Sequence, residues 1–234
     1  MTSGKSSTLS VRIERWPIRG AFTISRGAKV EAVIVVAEIV SGAHVGRGEC
    51  VPYPRYAETP DGAQAALLAM QDAVRGGLDR TALQAAMPPC AARNALDCAL
   101  LDLVAKQSGK RVWDVLGRPE PKPVTTAYTI SLASPEAMAE ATAAAADRPL
   151  LKIKLGGADD VERIAAVRKA APRSELIVDA NEAWTPESLE ANLAACAAAG
   201  VTLVEQPLPA GRDEQLSRIR RPVKVCADES VHDR

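Results

Sequence analysis

The sequence has no excess of either charge: 29 Lys plus Arg stand against 29 Asp plus Glu. A broad surface field that would gather nucleic acid or anionic lipid is therefore not expected, and any charged ligand must be held locally. Long apolar runs are also missing. The longest lies around Ala32–Ala37, far too short to span a bilayer, and the opening MTSGKSSTLSVRIERW lacks the apolar centre of a secretory signal. There is no CxxC pair. Cys50, Cys90, Cys98, Cys196 and Cys226 form an odd set in mostly apolar surroundings, which reads as reduced thiols in a cytoplasmic protein rather than a disulfide frame or zinc site. Histidine is nearly absent too: His44 sits in a turn and His232 reads as a surface residue.

What is present is ample apolar material. With 47% hydrophobic residues, the 234-residue chain can build one large domain or two modest ones. Two regions with different rhythms favour two. Up to about residue 120, stretches rich in β-branched side chains (Ser10–Trp16, Ala28–Val40, then Gly46–Val51 after the turn SGAHVG) predict an antiparallel meander. Thr59 before Pro60 predicts a helix to about Val74, ended by Gly76 and Gly77. A second helix, from about Cys90 to Ser108, carries Ala92, Ala95, Leu96, Ala99, Leu100 and Leu103 as a buried stripe stopped by Gly109. Residues 1–120 are thus expected to form a small α+β domain.

From Val124 strands and helices alternate. Five strands are expected, at 124–132, 150–156, 175–180, 201–206 and 223–228, linked by four helices. Ser134-Pro135 and Thr185-Pro186 are matching helix starts, and the alanine-rich bodies that follow have high helix propensity. Such βα units give either an open doubly wound sheet or part of a (β/α)8 barrel. Ionisable residues at the ends of four successive strands favour the barrel, because an open sheet concentrates its chemistry at one crevice. The expected fold class is α/β, with the second domain at 121–234.

Three of those strand ends are carboxylates: Asp179 in LIVDAN, Glu205 in TLVEQP and Asp228 in VKVCADES, at steps of about 25 residues, the length of one strand and its returning helix. A lone acid at such a place is often the N-cap of the next helix, but three in series are harder to explain that way. Oxygen ligands on separate rigid strands suit a hard ion, and Mg2+ fits better than Zn2+ because neither Cys nor His shares their register. One step earlier, LLKIKLG puts Lys152 and Lys154 on one side of a strand, with Leu151, Ile153 and Leu155 on the other. A solvated face would explain two lysines alone. Facing three carboxylates, they suggest proton abstraction next to a substrate carboxylate, with the ion stabilising the enediolate. Lys152 would hold that carboxylate and Lys154 would move the proton.

K-x-K in LKIKLGG, D-x-N in VDANEAW, VEQP and ADES together resemble the muconate-lactonizing branch of the enolase superfamily. TISRG, GECVPYPRYAET, ARNALDCALLDL, TAYTISLASPEAM and LLKIKLGG are similar, over nearly the whole chain, to dipeptide epimerases acting on L-Ala-D/L-Glu. The resemblance implies an N-terminal capping domain over a (β/α)8-type barrel, an isomerase that epimerises a small-molecule dipeptide with Mg2+, and a place in peptidoglycan peptide recycling. It implies catalytic Lys154 and Lys152, and metal ligands Asp179, Glu205 and Asp228. Substrate-binding residues would be Arg26 in a flexible loop, Tyr53 and Arg55 in a neighbouring loop, Thr129 and Asn181. Nucleic-acid and membrane partners are not implied, and a homo-oligomer is left open. N-acylamino acid racemase, o-succinylbenzoate synthase and cycloisomerase chemistries belong to the same branch, and a non-catalytic fragment is a further alternative. The sequence supplies five barrel strands. The family's last three, with the opposite-face lysine, a D-x-D and a tail returning to the cap, are not in it, so a truncated chain with impaired activity and exposed sheet edges is expected.

Overall fold

The computed structural model describes residues 6–231, so the expectation for His232 lies outside the described residues. The chain divides into two compact units. One combines the stretch up to Pro17 with Glu31–Lys122, the other Ile18–Val30 with the stretch from Pro123.

In the first unit an antiparallel sheet of order β1-β2-β3 is formed by β1 (Thr8–Ile24), β2 (Gly27–Ser41) and β3 (His44–Cys50). The meander expected from the β-branched runs is there, with longer arms: β1 and β2 continue outward as a hairpin whose outer part, Ile18–Val30, belongs to the second unit. The helix expected from Thr59 to Val74 is two pieces, α1 (Pro60–Leu68) and α2 (Gln71–Arg75), with Ala69 and Met70 between them. Thr59 caps α1 through its side chain, which accepts from Gly62 N. Two short helices not expected from the sequence are also present: α3 (Arg80–Ala86), whose start is capped by the Asp79 side chain, and the single turn α5 (Val112–Val115), which has no side-chain cap.

The central helix α4 (Ala91–Ser108) starts on the Cys90 thiol and ends at Gly109, whose φ of 66° is the left-handed conformation glycine adopts most readily. Its stripe of Ala92, Ala95, Leu96, Ala99, Leu100 and Leu103 is buried against Val35, Ala37 and Ile39 of β2. Small residues on both sides allow an unusually close approach. A Cβ on Gly48 would lie 2.1 Å from Ala95 O, and one on Gly46 would lie 2.2 Å from Ala99 O.

The second unit contains a five-stranded parallel sheet in sequence order: β4 (Tyr128–Ile130), β5 (Leu150–Lys154), β6 (Glu175–Asp179), β7 (Val201–Glu205) and β8 (Lys224–Cys226). Crossovers are α6 (Pro135–Ala143), α7 (Asp160–Ala170) and α8 (Pro186–Ala198). Strands in sequence order with helical crossovers are the arrangement of a part-built barrel rather than of a doubly wound sheet, in which the order reverses. The fourth connection differs from expectation: only a 3₁₀ segment, Asp213–Ser217, joins β7 to β8. Pro207, Pro209 and Gly211 precede it and Pro222 follows it. One core fills the space between strands and helices. Leu151, Ile153 and Leu155 pack there with Ile164, Val167, Trp184, Leu189 and Leu193, which leaves the alternate positions Lys152 and Lys154 for the opposite face.

Candidate active site

The parallel register aligns the functional side chains. Thr129 pairs with Lys152, Lys154 with Asp179, and Asp179 with Glu205 on successive strands. Because paired residues in a parallel sheet project to the same face, lysines and carboxylates meet at the carboxyl ends. Lys152 Nζ lies 2.6 Å from Glu205 Oε2 and 3.0 Å from Asp179 Oδ2. Lys154 Nζ lies 2.6 Å from the same Asp179 oxygen and 3.0 Å from Asn181 Oδ1. It also sits 5.6 Å from the centroid of the Phe22 ring, within the range of a cation–π contact.

The turn after β6 is sharp. Asn181 and Glu182 both have positive φ, 45° and 70°, and Asn181 N donates to Asp179 Oδ1 at 2.9 Å. This reversal presents the Asn181 side chain to Lys154 and its carbonyl to the hairpin tip, where Arg26 and Ser25 donate to it, each at 2.9 Å. Arg26 also pairs with Glu182 at 3.0 Å and with the buried Glu229 at 2.7 Å. The flexible loop expected around Arg26 is a two-residue turn, Ser25–Arg26, between two long strands. Long hairpin arms and these four contacts hold it.

Electrostatics divide the carboxylates. Burial by itself would raise the Asp179 carboxyl, but its contacts with Lys154 and Lys152 outweigh that and hold it below the usual range. Glu205 moves the other way: burial and the nearby Asp179 and Asp228 charges raise it despite the Lys152 contact. Asp228 is raised by partial desolvation and by the charges of Glu229 and Asp179. Burial tends to lower Lys152, yet Glu205 and Asp179 more than compensate and raise it. The site holds more negative charge than its lysines balance at the Asp228 side.

Among the described residues, no three acid, histidine or cysteine side chains are grouped closely enough to hold a metal ion as they stand. Asp179 and Glu205 are brought together, on the Lys152 ammonium, while Asp228 contributes through its field. The Lys152 ammonium lies between the two carboxylates it can reach. The donor set nevertheless fits Mg2+: the oxygens of Asp179 and Glu205 already share one positive group, and Asp228 lies where further positive charge would be stabilising.

Of the remaining residues expected at the site, Thr129 is half-buried in β4 beside Lys152, whereas Tyr53 and Arg55 lie in the first unit. There Tyr53 precedes a 3₁₀ turn, Pro54–Tyr56, and its backbone N–H donates to Glu58. Three contributors were not expected from the sequence. Phe22 faces Lys154, Glu229 pairs with Arg26, and Gln206 ties two strand ends together. Gln206 and Glu229 stand inside the strings VEQP and ADES, so their proximity to the carboxylates was visible while their bonding partners were not.

This fold and site define a member of the enolase superfamily. Residues 6–117 match the N-terminal domain of mandelate racemase / muconate lactonizing enzyme, and residues 136–234 match the enolase C-terminal domain-like family. The chain belongs to the mandelate racemase / muconate lactonizing enzyme family. Among its relatives is the L-Ala-D/L-Glu epimerase of Escherichia coli (strain K12), 42% identical over 229 residues, covering 97% of this chain and 71% of the relative. A solved structure of an enolase family member from Agrobacterium tumefaciens with homology to dipeptide epimerases, with bound sodium and L-Ala-L-Glu, superposes with a TM-score of 0.93. That protein is 54% identical, over 96% of this chain and 69% of its own. A dipeptide epimerase from Cytophaga hutchinsonii, complexed with Mg and D-Ala-L-Val, is 26% identical with a TM-score of 0.87, over 96% of this chain and 65% of its own. The chain thus spans roughly two thirds of the length of these relatives.

Proposed function

We propose that this chain carries the metal-binding and one-face proton-transfer part of a Mg2+-dependent dipeptide epimerase acting on substrates of the L-Ala-D/L-Glu type. The observation that carries this reading is the shared Asp179 oxygen. Lys152 and Lys154 converge on it from one face of β5, with Glu205 on the adjacent strand. Kinship with an L-Ala-D/L-Glu epimerase and with structures holding dipeptides supports the substrate class.

In this reading Asp179, Glu205 and Asp228 hold Mg2+. When bound, it supplies positive charge that stabilises the carboxylate of the substrate as the adjacent carbon loses its proton. Lys154 takes that proton at Nζ when unprotonated, oriented by Asp179 and Asn181. Lys152 holds the substrate carboxylate, with Thr129 beside it in register. Arg26, on its turn, offers a guanidinium to the acidic side chain of the second substrate residue. Five free thiols agree with a cytoplasmic setting, and among the described residues no helix is long and apolar enough to cross a membrane. Lysines on one strand serve one face of the substrate, so a full epimerisation needs a second base on the other.

Isotope exchange tests the reading. L-Ala-L-Glu in D2O with Mg2+ should gain deuterium at the Glu α-carbon with this chain, or with a chain extended to the length of its relatives, and Lys154→Met should abolish it. Exchange surviving Lys154→Met, or an extended chain that turns over acylated amino acids and ignores dipeptides, overturns it.

A further inference from the structure

Asp228 stands two residues beyond the last ladder position of β8, a strand of only three residues that pairs on one side with β7. Ladder hydrogen bonds therefore do not fix its backbone. The neighbouring strand supplies the restraint. Gln206, the residue after Glu205, is fully buried and has a positive φ of 35°, a conformation that side chains other than glycine, Asn and Asp seldom adopt. That turn swings its side-chain amide sideways across the sheet.

All the capacity of the amide is used on the far strand end and its own turn. Gln206 Oε1 accepts from Asp228 N at 2.9 Å and from Ser230 N at 3.0 Å. Nε2 donates to Ser230 Oγ and to Leu208 O, each at 2.8 Å. The backbone adds two further ties, Gln206 N to Cys226 O and Glu182 N to Gln206 O, both 2.9 Å. One residue thus connects the ends of β6, β7 and β8. An amide is the side chain this place requires, since a carboxylate could not donate to Leu208 O and an apolar group could do neither. Being neutral, it also adds nothing to the local excess of negative charge.

We infer that Gln206 is the positioning residue for Asp228, splinting the segment Asp228–Ser230 so that its carboxylate is presented to a cation shared with Asp179 and Glu205. This rests on the reading of Asp228 as a metal ligand. A hydrogen-bonded support of that kind typically changes metal affinity by about 10- to 100-fold when removed. Its effect should pass entirely through Asp228.

Mn2+ binding followed by electron paramagnetic resonance, together with amide hydrogen exchange at Asp228 and Ser230, tests the assignment in four chains: wild type, Gln206→Met, Asp228→Asn and the double variant. The expected result is faster exchange at both amides and roughly tenfold weaker Mn2+ binding in Gln206→Met. The double variant should bind no more weakly than Asp228→Asn alone. Additive losses in the double variant would mean a general structural role and overturn the inference, as would unchanged binding in Gln206→Met where Asp228→Asn binds weakly. A wild-type chain that does not bind Mn2+, or an Asp228→Asn chain that binds it normally, defeats the metal-site reading and the role of Gln206 with it. Should Gln206→Met fail to fold, Ser230→Ala removes one amide partner only. Exchange at Asp228 should then quicken several-fold, and unchanged exchange with unchanged Mn2+ affinity overturns the assignment.

Discussion

Lys154 Nζ and Asp179 Oδ2 lie 2.6 Å apart, on residues that are direct register partners of adjacent parallel strands. The contact is almost fully buried, and the same oxygen also receives Lys152. A single carboxylate therefore compensates two ammonium groups, and its loss would leave both without their shared partner.

Asp179→Asn should cost about 3 kcal/mol at neutral pH, the usual scale for removing one side of a buried ion pair. The pH dependence has a definite sign. Because the folded state holds the Asp179 carboxyl below its unfolded value of 3.8, its contribution is complete above that value and is lost as pH falls through the folded one. Urea unfolding between pH 5 and pH 2 should show a slope in the wild type that is reduced in Asp179→Asn. An equal slope in both would show that the lysine contacts do not set this carboxyl.

Much of this constellation could be read from the sequence because two simple periods govern it. Residues two apart on a strand share a face, which placed Lys152 with Lys154 and set Leu151, Ile153 and Leu155 against the helices. The even step of strand plus helix placed Asp179, Glu205 and Asp228 at one end of one sheet. Less local features were not legible. The 3₁₀ segment Asp213–Ser217 stands where a fourth helix was expected. The hold of Gln206 on Asp228 and Ser230 joins residues more than twenty positions apart through a side chain, which no periodicity encodes.

In the first unit, the contact between β3 and α4 leaves no room for a side chain at Gly48. Gly48→Ala would place its methyl against Ala95 O and Ala99 N, both backbone atoms that cannot rotate away. The helix must shift or the strand must bend, at a cost of about 2 kcal/mol on the scale of overpacked cores. Thermal unfolding should register this as a lower Tm, whereas Gly77→Ala meets no neighbouring atom and suffers only from its φ of 90°. Equal losses for the two substitutions would remove close packing as the explanation.

Arg26 anchors the hairpin tip through three acceptors, Asn181 O, Glu182 and Glu229. A lysine keeps the charge but presents one nitrogen instead of a planar fork, so it cannot serve acceptors at two guanidinium nitrogens in the same geometry. Loss of one charge-assisted hydrogen bond, about 1.5 kcal/mol, should raise local opening roughly tenfold. Hydrogen exchange over residues 18–30 measures it. Exchange in Arg26→Lys no faster than in the wild type would mean that the strands alone hold the tip.

Asp228 provides a prediction whose sign depends on the cation. Partial desolvation and the charges of Glu229 and Asp179 raise its carboxyl above the unfolded value of 3.8, so ionisation opposes folding at pH values above that of the unfolded group. Asp228→Asn removes the opposing charge, and the metal-free variant should unfold at a higher temperature than the wild type at pH 7. The difference should vanish as pH falls below 3.8, where the wild-type group is protonated in both states. Added Mg2+ should reverse the order: an ion that binds the folded state alone stabilises the wild type in proportion to its affinity and stabilises the variant less. Thermal scans at two pH values, with and without Mg2+, separate the cases. A variant that loses stability without metal would show that Asp228 is a structural residue, and a variant that gains as much from Mg2+ as the wild type would place the ion elsewhere.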